Sequence, residues 1–203
     1  MSSSALPLVL AITGASGAPY AVRVLATLAH LRVPTWLIVS GHGWRLLNEE
    51  CGIADLAQLE RATAGDSQWS SVTLFSDDDR GAKPASGSQR TRGMVICPCS
   101  MGTVAAVAHG TSRSLVERAA DVTLKEGRKL VLVPRESPLS LVHLRNLTSA
   151  AEAGATILPA APGFYHRPAR LSDLVDFIAQ RVLDQFAIDA TLSPRWGDPS
   201  EPS

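Results

Sequence analysis

Five short segments carry residue types suited to holding or transforming a small anion. The first is Thr13-Gly14-Ala15-Ser16-Gly17-Ala18, between an apolar run and a helical period. Glycines there let the backbone turn tightly and approach a phosphate, and a helix starting behind them offers unpaired N–H groups at the positive end of its dipole. The segment lacks the G-x-G-x-x-G spacing of a dinucleotide fingerprint, and the next apolar run ends in Ser40 rather than an acidic residue. A tight strand-to-helix connection without any ligand explains this turn about as well. The second segment is Cys97-Pro98-Cys99-Ser100-Met101-Gly102-Thr103, again leaving an apolar run for a helical period. Ser100 and Thr103 can present hydroxyls and N–H groups at that helix start. Two small-residue turns at two strand ends point to one shared ligand. The C-x-C pair has no second cysteine or histidine pair beside it, which gives zinc little support.

The third segment is Val133-Pro134-Arg135-Glu136-Ser137-Pro138. Arg135 falls just past a strand, where a guanidinium can grip a phosphate at two points, and Glu136 beside it is an acid–base candidate. A surface ion pair between the two neighbours is the plainer alternative. The fourth signal is cationic. Arg118 and Lys125 stand seven apart on one predicted helix and share a face, while Arg181 lies seven after Leu174 and hence near an apolar face. An arginine turned inward needs an anionic partner, either a structural carboxylate or a phosphate. The fifth is Pro159-Ala160-Ala161-Pro162-Gly163-Phe164-Tyr165-His166, a proline-stiffened stretch. Its Tyr165 can bond a phosphate oxygen, although aromatics there also serve as ordinary core.

Short apolar runs alternate with helical periods along the chain, the pattern of a parallel sheet covered by helices. Leu6 to Thr13, Thr35 to Ser40, Val72 to Phe75, Met94 to Cys99, Leu130 to Pro134 and Thr156 to Leu158 read as strands. Ala18 to Arg32 reads as a helix with Val24, Leu28 and Leu31 on one face; His42 to Cys51, Met101 to His109 and Leu115 to Glu126 read as three more. Ser137 to Ala153 is predicted as a helix capped by Ser137, opened by Pro138 and ended by Gly154. The last helix, Leu171 to Ala187, is expected to turn Leu171, Leu174, Val175, Ile178 and Val182 inward, and an irregular tail follows from Asp189. Ser76 to Arg92 is the longest expected loop. The predicted class is α/β: a three-layer, Rossmann-like or flavodoxin-like, mostly parallel sheet with helices on both faces, in one domain over residues 1–203.

Lysine plus arginine equals aspartate plus glutamate at 19 each, which argues against a dedicated nucleic-acid binder. Three irregularly spaced cysteines make no disulfide scaffold and suit a reducing, cytoplasmic setting. The first basic residue is Arg23, so the apolar start lacks the charged n-region of a signal peptide, and no apolar stretch is long enough to span a membrane.

Six pieces in order carry a resemblance over roughly residues 6–197: TGASGAPYA from Thr13, PASGS from Pro84, CPCSMGT from Cys97, ERAADVTLKEGRKLVLVPRESP from Glu117, PAAPGFYHRP from Pro159 and PRWG from Pro194. On these the chain resembles the UbiX-type flavin prenyltransferases, which belong with the homo-oligomeric flavin-containing Cys decarboxylases. The resemblance implies FMN bound without a nucleotide fingerprint, and attachment of a dimethylallyl group from dimethylallyl phosphate to N5 and C6 of reduced FMN. It implies a product used by a separate UbiD-type decarboxylase, no required metal, and homo-oligomers, typically dodecamers, with sites at subunit contacts. By motif, Gly14, Ala15, Ser16, Ser40, Ser100, Met101, Gly102, Thr103 and Arg135 should bind FMN. Tyr165 and Arg181 should bind the allyl phosphate, assisted by Lys125 and Glu136, with Arg118 a further candidate from its helix face. Ser16 and Glu50 are placed to move protons near N5, and Trp196 matches an aromatic beside the prenyl group. One position departs from the family pattern: Arg80 stands where a tryptophan is expected before PASGS. An FMN-dependent decarboxylase and a non-catalytic FMN-binding interaction protein are the two other readings of this fold.

Overall fold

The computed structural model describes residues 5–63 and 69–195. Six strands form one sheet: β1 (Leu8–Ile12), β2 (Thr35–Val39), β3 (Val72–Ser76), β4 (Gly93–Cys99), β5 (Leu130–Pro134) and β6 (Ala155–Ile157). All neighbours pair in parallel, in the order β3-β2-β1-β4-β5-β6. β1, β4 and β5 are buried along their whole length, so their sequences are continuous apolar runs and not alternating ones.

Among the described residues, seven α-helices cover the sheet: α1 (Ala18–His30), α2 (Gly41–Cys51), α3 (Leu56–Thr63), α4 (Met101–Ala108), α5 (Leu115–Lys125), α6 (Leu141–Glu152) and α7 (Leu171–Asp184). Successive strand residues face opposite sides. Leu8, Leu10 and Ile12 accordingly pack with Val24 and Leu28 of α1 and Ile178 and Val182 of α7. Val9 and Ala11 pack on the other face with Val104 of α4 and Val116 and Ala119 of α5.

The winding reverses between β1 and β4, and in such sheets a crevice opens at that point beyond the strand ends. The pairing of β1 with β4 ends at Ala11 and Ile96, and the β4–β5 register shifts between Ile96 and Cys99. Pro98 lies inside that shift. It has no N–H to give to a ladder, so a bulge is where a central strand can accept it. Its carbonyl accepts from the Thr13 backbone N–H at 3.2 Å and from the Thr13 hydroxyl at 2.9 Å. The same hydroxyl oxygen accepts from the Ser100 N–H at 2.9 Å. One buried side chain thus clamps the two strand tips on either side of the crevice.

Several sequence expectations shift. Ser140, not Ser137, caps α6: its hydroxyl accepts from the His143 N–H while the His143 ring accepts from the Ser140 N–H. That reciprocal pair satisfies two orphan donors, which Ser137, followed directly by a proline, does not match. Residues 135–140 therefore form an exposed loop. Helix α3 was not anticipated. Leu31 and Leu171 are exposed, the first because α1 ends at His30 and the second because it opens α7 at the rim of the sheet.

Replacing Thr13 with valine keeps the shape but removes a donor and leaves the Ser100 N–H without its acceptor. Chemical denaturation is expected to show a loss of about 2 kcal/mol, in the range for orphaning a buried donor. A variant as stable as the parent would show that the strand tips hold together without this hydroxyl.

Candidate active site

Ser40 ends β2 and caps α2, its hydroxyl accepting from the Gly43 N–H at 3.0 Å. Ser100 ends β4 and caps α4, accepting from the Thr103 N–H at 3.2 Å and sharing a 2.9 Å bond with the Thr103 hydroxyl. Both caps arise because a short hydroxyl residue stands where an apolar run turns into a helical period. With Thr13 and Gly14 they line a cleft of about 380 Å³ at the crevice. That volume is in the range of small-molecule sites. A Cβ at Gly14 would lie 2.4 Å from the Cβ of His42, so glycine is what lets α2 approach this turn.

The other end of the turn has a different character. Glu50, in the last turn of α2, accepts from the Gly17 and Ala18 N–H groups at 2.8 Å each. Helix α1 has no side-chain cap of its own. This carboxylate supplies it from 33 residues away. The expectation that the start of α1 stands open to a phosphate is thereby corrected: its donors are occupied by the protein's own anion. The open helix starts at the cleft are those of α2 and α4. Burial pushes the Glu50 carboxyl up, but bonds from the Ser16 hydroxyl and the two amides, with Arg135 nearby, outweigh it and hold the group below the usual carboxylate range. Arg135 donates from Nε to the Ser16 carbonyl at 3.1 Å, bringing the tip of β5 to the same place.

Tyr20, which sequence reasoning passed over, completes this end. Burial raises its phenol, the neighbouring Cys97 adds to that, and Arg135 opposes both. Gly17 holds φ 123°, and a Cβ there would lie 2.9 Å from the Tyr20 ring, so only glycine fits beneath it. The G-A-P-Y continuation of the glycine turn was the available signal. Cys97 and Cys99 are fully buried; burial pushes the Cys97 thiol up to about 12 and the Cys99 thiol higher still, so both stay protonated.

Of the expected residues, Gly14, Ser40, Ser100 and Thr103 line this cleft, and Ser16, Glu50 and Arg135 meet at the other end of the Gly14–Gly17 turn; Ala15 lies between them in sequence, and Met101 and Gly102 open α4 behind Ser100. Glu136 follows Arg135 in the exposed loop, and its carboxylate accepts from the Ser137 N–H at 3.1 Å. Other expected residues lie elsewhere. Lys125 ends α5, about 16 Å of helix beyond Ser114 at the cleft. It pairs with Glu126 and sits against Gly87 of the PASGS segment. Arg118 pairs with Asp121 at 2.7 Å. Arg181 does not turn inward: its side chain is 54% exposed and pairs with Asp184 at 3.5 Å. Leu174, from which its position was reckoned, is itself only half-buried, so the seventh residue on rides the margin of the apolar face. Tyr165 packs edge-on against Phe177 of α7, ring centres 5.8 Å apart. Arg80 is exposed. Trp196 lies outside the described residues.

A larger cleft, about 790 Å³, lies between α1, α3 and residues 189–192 and is lined by Arg23, His30 and Arg61. It contains none of the strand-end turns. Among the described residues no group of three or more histidine, cysteine or acidic side chains could hold a metal ion, and no helix is long and apolar enough to cross a membrane.

Sheet order, crevice and paired hydroxyl-capped helix starts define a doubly wound α/β protein with a site for a phosphorylated ligand. The family model described as Flavoprotein matches residues 2–183. A flavin prenyltransferase UbiX of Synechocystis sp. is 48% identical, covering 95% of this chain and 96% of the relative. One from Pseudomonas aeruginosa is 44% identical, covering 93% of each. AnUbiX (PadA1), solved in complex with FMN and dimethylallyl pyrophosphate, aligns with TM-score 0.86 and 38% identity over 97% of this chain and all of that one. A dodecameric FMN-dependent UbiX-like decarboxylase from Escherichia coli O157:H7 aligns at 0.84, with 40% identity over 94% of this chain and 99% of that one. The chain belongs to the UbiX-type flavin prenyltransferases of the Flavoprotein family.

Because the Glu50 carboxyl is held low in the folded state, its contribution is present above the ordinary carboxylate pKa and lost as pH falls through the folded value. Glu50→Gln is therefore expected to cost about 1 kcal/mol at neutral pH, as for loss of a partly exposed cap. The gap to the parent should close below about pH 4. Denaturation curves at the two pH values check this; a gap independent of pH would show that the charge of Glu50 adds nothing.

Proposed function

We propose that the protein joins the dimethylallyl group of dimethylallyl phosphate to reduced FMN, bridging N5 and C6. The observation that carries this reading is the two-ended crevice: hydroxyl-capped helix starts at Ser40 and Ser100 on one side, and Ser16, Glu50 and Arg135 on the other. The first end fits a flavin phosphate in its chemistry, since N–H and hydroxyl donors converge there without a metal. The second end, with Tyr20 beside it, lies where the flavin ring would extend. Met101, Gly102 and Thr103 add the first turn of α4 to the phosphate end, and Gly14 and Ala15 join the two.

Reduced FMN would supply the nucleophilic nitrogen, which takes the CH2 end of the prenyl unit, and the ring carbon, which takes the other end as the prenyl double bond opens, its middle carbon gaining a proton and C6 losing one. Glu50, ionised at neutral pH, accepts a proton by way of the Ser16 hydroxyl. The allylic C–O bond breaks with its electron pair leaving on phosphate, and clustered cations stabilise that charge. Arg135 and Glu136 serve from the crevice itself. Lys125, Arg118, Arg181 and Tyr165 reach a crevice from other copies of the chain in a homo-oligomer, taken to be a dodecamer, and Trp196 borders the prenyl group. Their exposure supports this, as does the apolar surface left open in one chain: Leu141, Val142, Phe164 and Leu171 are 61, 62, 69 and 74% exposed. Large apolar side chains left so exposed suit burial against another copy of the chain. The whole chain acts as one flavoprotein unit, its product passes to a UbiD-type decarboxylase, and its free thiols suit the cytoplasm.

Anaerobic incubation with reduced FMN and dimethylallyl phosphate should give flavin heavier by one prenyl unit on mass analysis. Unmodified flavin from protein that holds FMN would sink the reading. Arg181→Ala should impair allyl-phosphate use while sparing FMN retention. Lys125→Ala and Arg135→Ala subunits, each inactive alone, should recover part of the activity when co-assembled. No recovery would place both cations in one chain's site.

A further inference from the structure

The loop between α4 and α5 brings one more cation to the crevice, and no motif pointed to it. Arg113 lines the same cleft as Ser40, Ser100 and Thr103. We propose that Arg113 recognises the phosphate of the flavin and makes this site select FMN over flavins that lack it. The proposal rests on the reading that the Ser40–Ser100 end holds that phosphate.

The guanidinium is held in place before any ligand arrives. Its Nε donates to Glu117 Oε2 at 3.2 Å and its NH2 to Oε1 at 2.7 Å, while the Arg113 backbone N–H donates to Oε2 at 2.8 Å. The Glu117 side chain is 11% exposed, that of Arg113 72%. The carboxylate is therefore the buried anchor and the guanidinium the outer, reachable partner. Arginine carries five N–H donors. Glu117 takes two, which leaves the rest for a ligand in a fixed plane, the condition under which arginine is suited to phosphate.

Charge balance makes the same point. The ionisable groups lining this cleft are Asp77, Glu117, His42 and Arg113. Asp77 is fixed there by the Val116 N–H, which donates to it at 2.9 Å. Without Arg113 the fixed charges facing a bound phosphate would be two carboxylates, which repel it. With Arg113 the Glu117 charge is neutralised, Asp77 is left as the one unpaired carboxylate with the Val116 N–H donating to it, and a directional donor set is available to the anion. A surface pair serving only to start α5 would need no place in the cleft lining, since Ser114 already caps that helix.

The test titrates flavin-free protein with FMN and with riboflavin, following flavin fluorescence. Wild type should prefer FMN. Arg113→Ala should weaken FMN binding about tenfold, in keeping with loss of a charge-assisted bond, leave riboflavin binding unchanged, and flatten the salt dependence for FMN. Arg113→Lys should fall between the two, and serves where the alanine variant fails to fold. An unchanged FMN-to-riboflavin ratio in both variants overturns the proposal. No preference for FMN in wild type would overturn instead the placing of the phosphate, and this inference with it.

Discussion

The hydroxyl of Thr13 sits where the two halves of the sheet part company. On one side β1 leads back toward β2 and β3; on the other β4 leads outward to β5 and β6. Winding in opposite directions leaves a gap above the two central strands, and a gap with nothing across it would let their tips drift. Thr13 spans it through the Pro98 carbonyl and the Ser100 N–H. Several polar groups of the crevice are attached within a few residues of that bridge or bond to one that is. Ser100 and Thr103 follow it along β4 into α4, and the turn through Ser16 follows it along β1. Arg135 reaches Ser16 from the next strand outward.

Within that frame the helix starts differ in what holds them: α1 takes Glu50 and α5 takes Asp77, both carboxylates, while α2 and α4 take neutral hydroxyls. Glu50 gives α1 an anion from α2, so the positive end of α1 is already neutralised. Ser40 and Ser100 cap α2 and α4 with neutral hydroxyls, which satisfy donors without cancelling the dipole.

Much of this was legible in the chain because buried parallel strands are written as uninterrupted apolar runs, and β5 was read to the residue. The strand-end hydroxyls Ser40 and Ser100 and the glycine turn were visible because they break such runs. What escaped depends on contacts distant in sequence. No local pattern ties Glu50 to the start of α1, and its place in the site came from family resemblance alone. Helical spacing put Arg181 near a core face but could not show that Leu174, its reference, is only half-buried. Ser137 with Pro138 carries the residue types of a helix start, while the bond that the His143 ring accepts from the Ser140 N–H replaces the usual Glu or Gln of a capping box. Arg113 escaped because a single arginine in a polar loop has no periodicity to betray it.

Pro98 has an effect beyond its own strand. A residue with an N–H at that place would carry a donor in need of an acceptor, and the ladder between β1 and β4 could continue past Ala11 and Ile96. Since proline has no such hydrogen, Pro98 meets β1 through its carbonyl alone, and both bonds it accepts come from Thr13. Thr13 and Ser100, which line the cleft, are thereby tied to each other by the protein's own bonds ahead of any ligand. Association under those conditions forfeits little to rearrangement of the host, which favours tight retention from modest contact area.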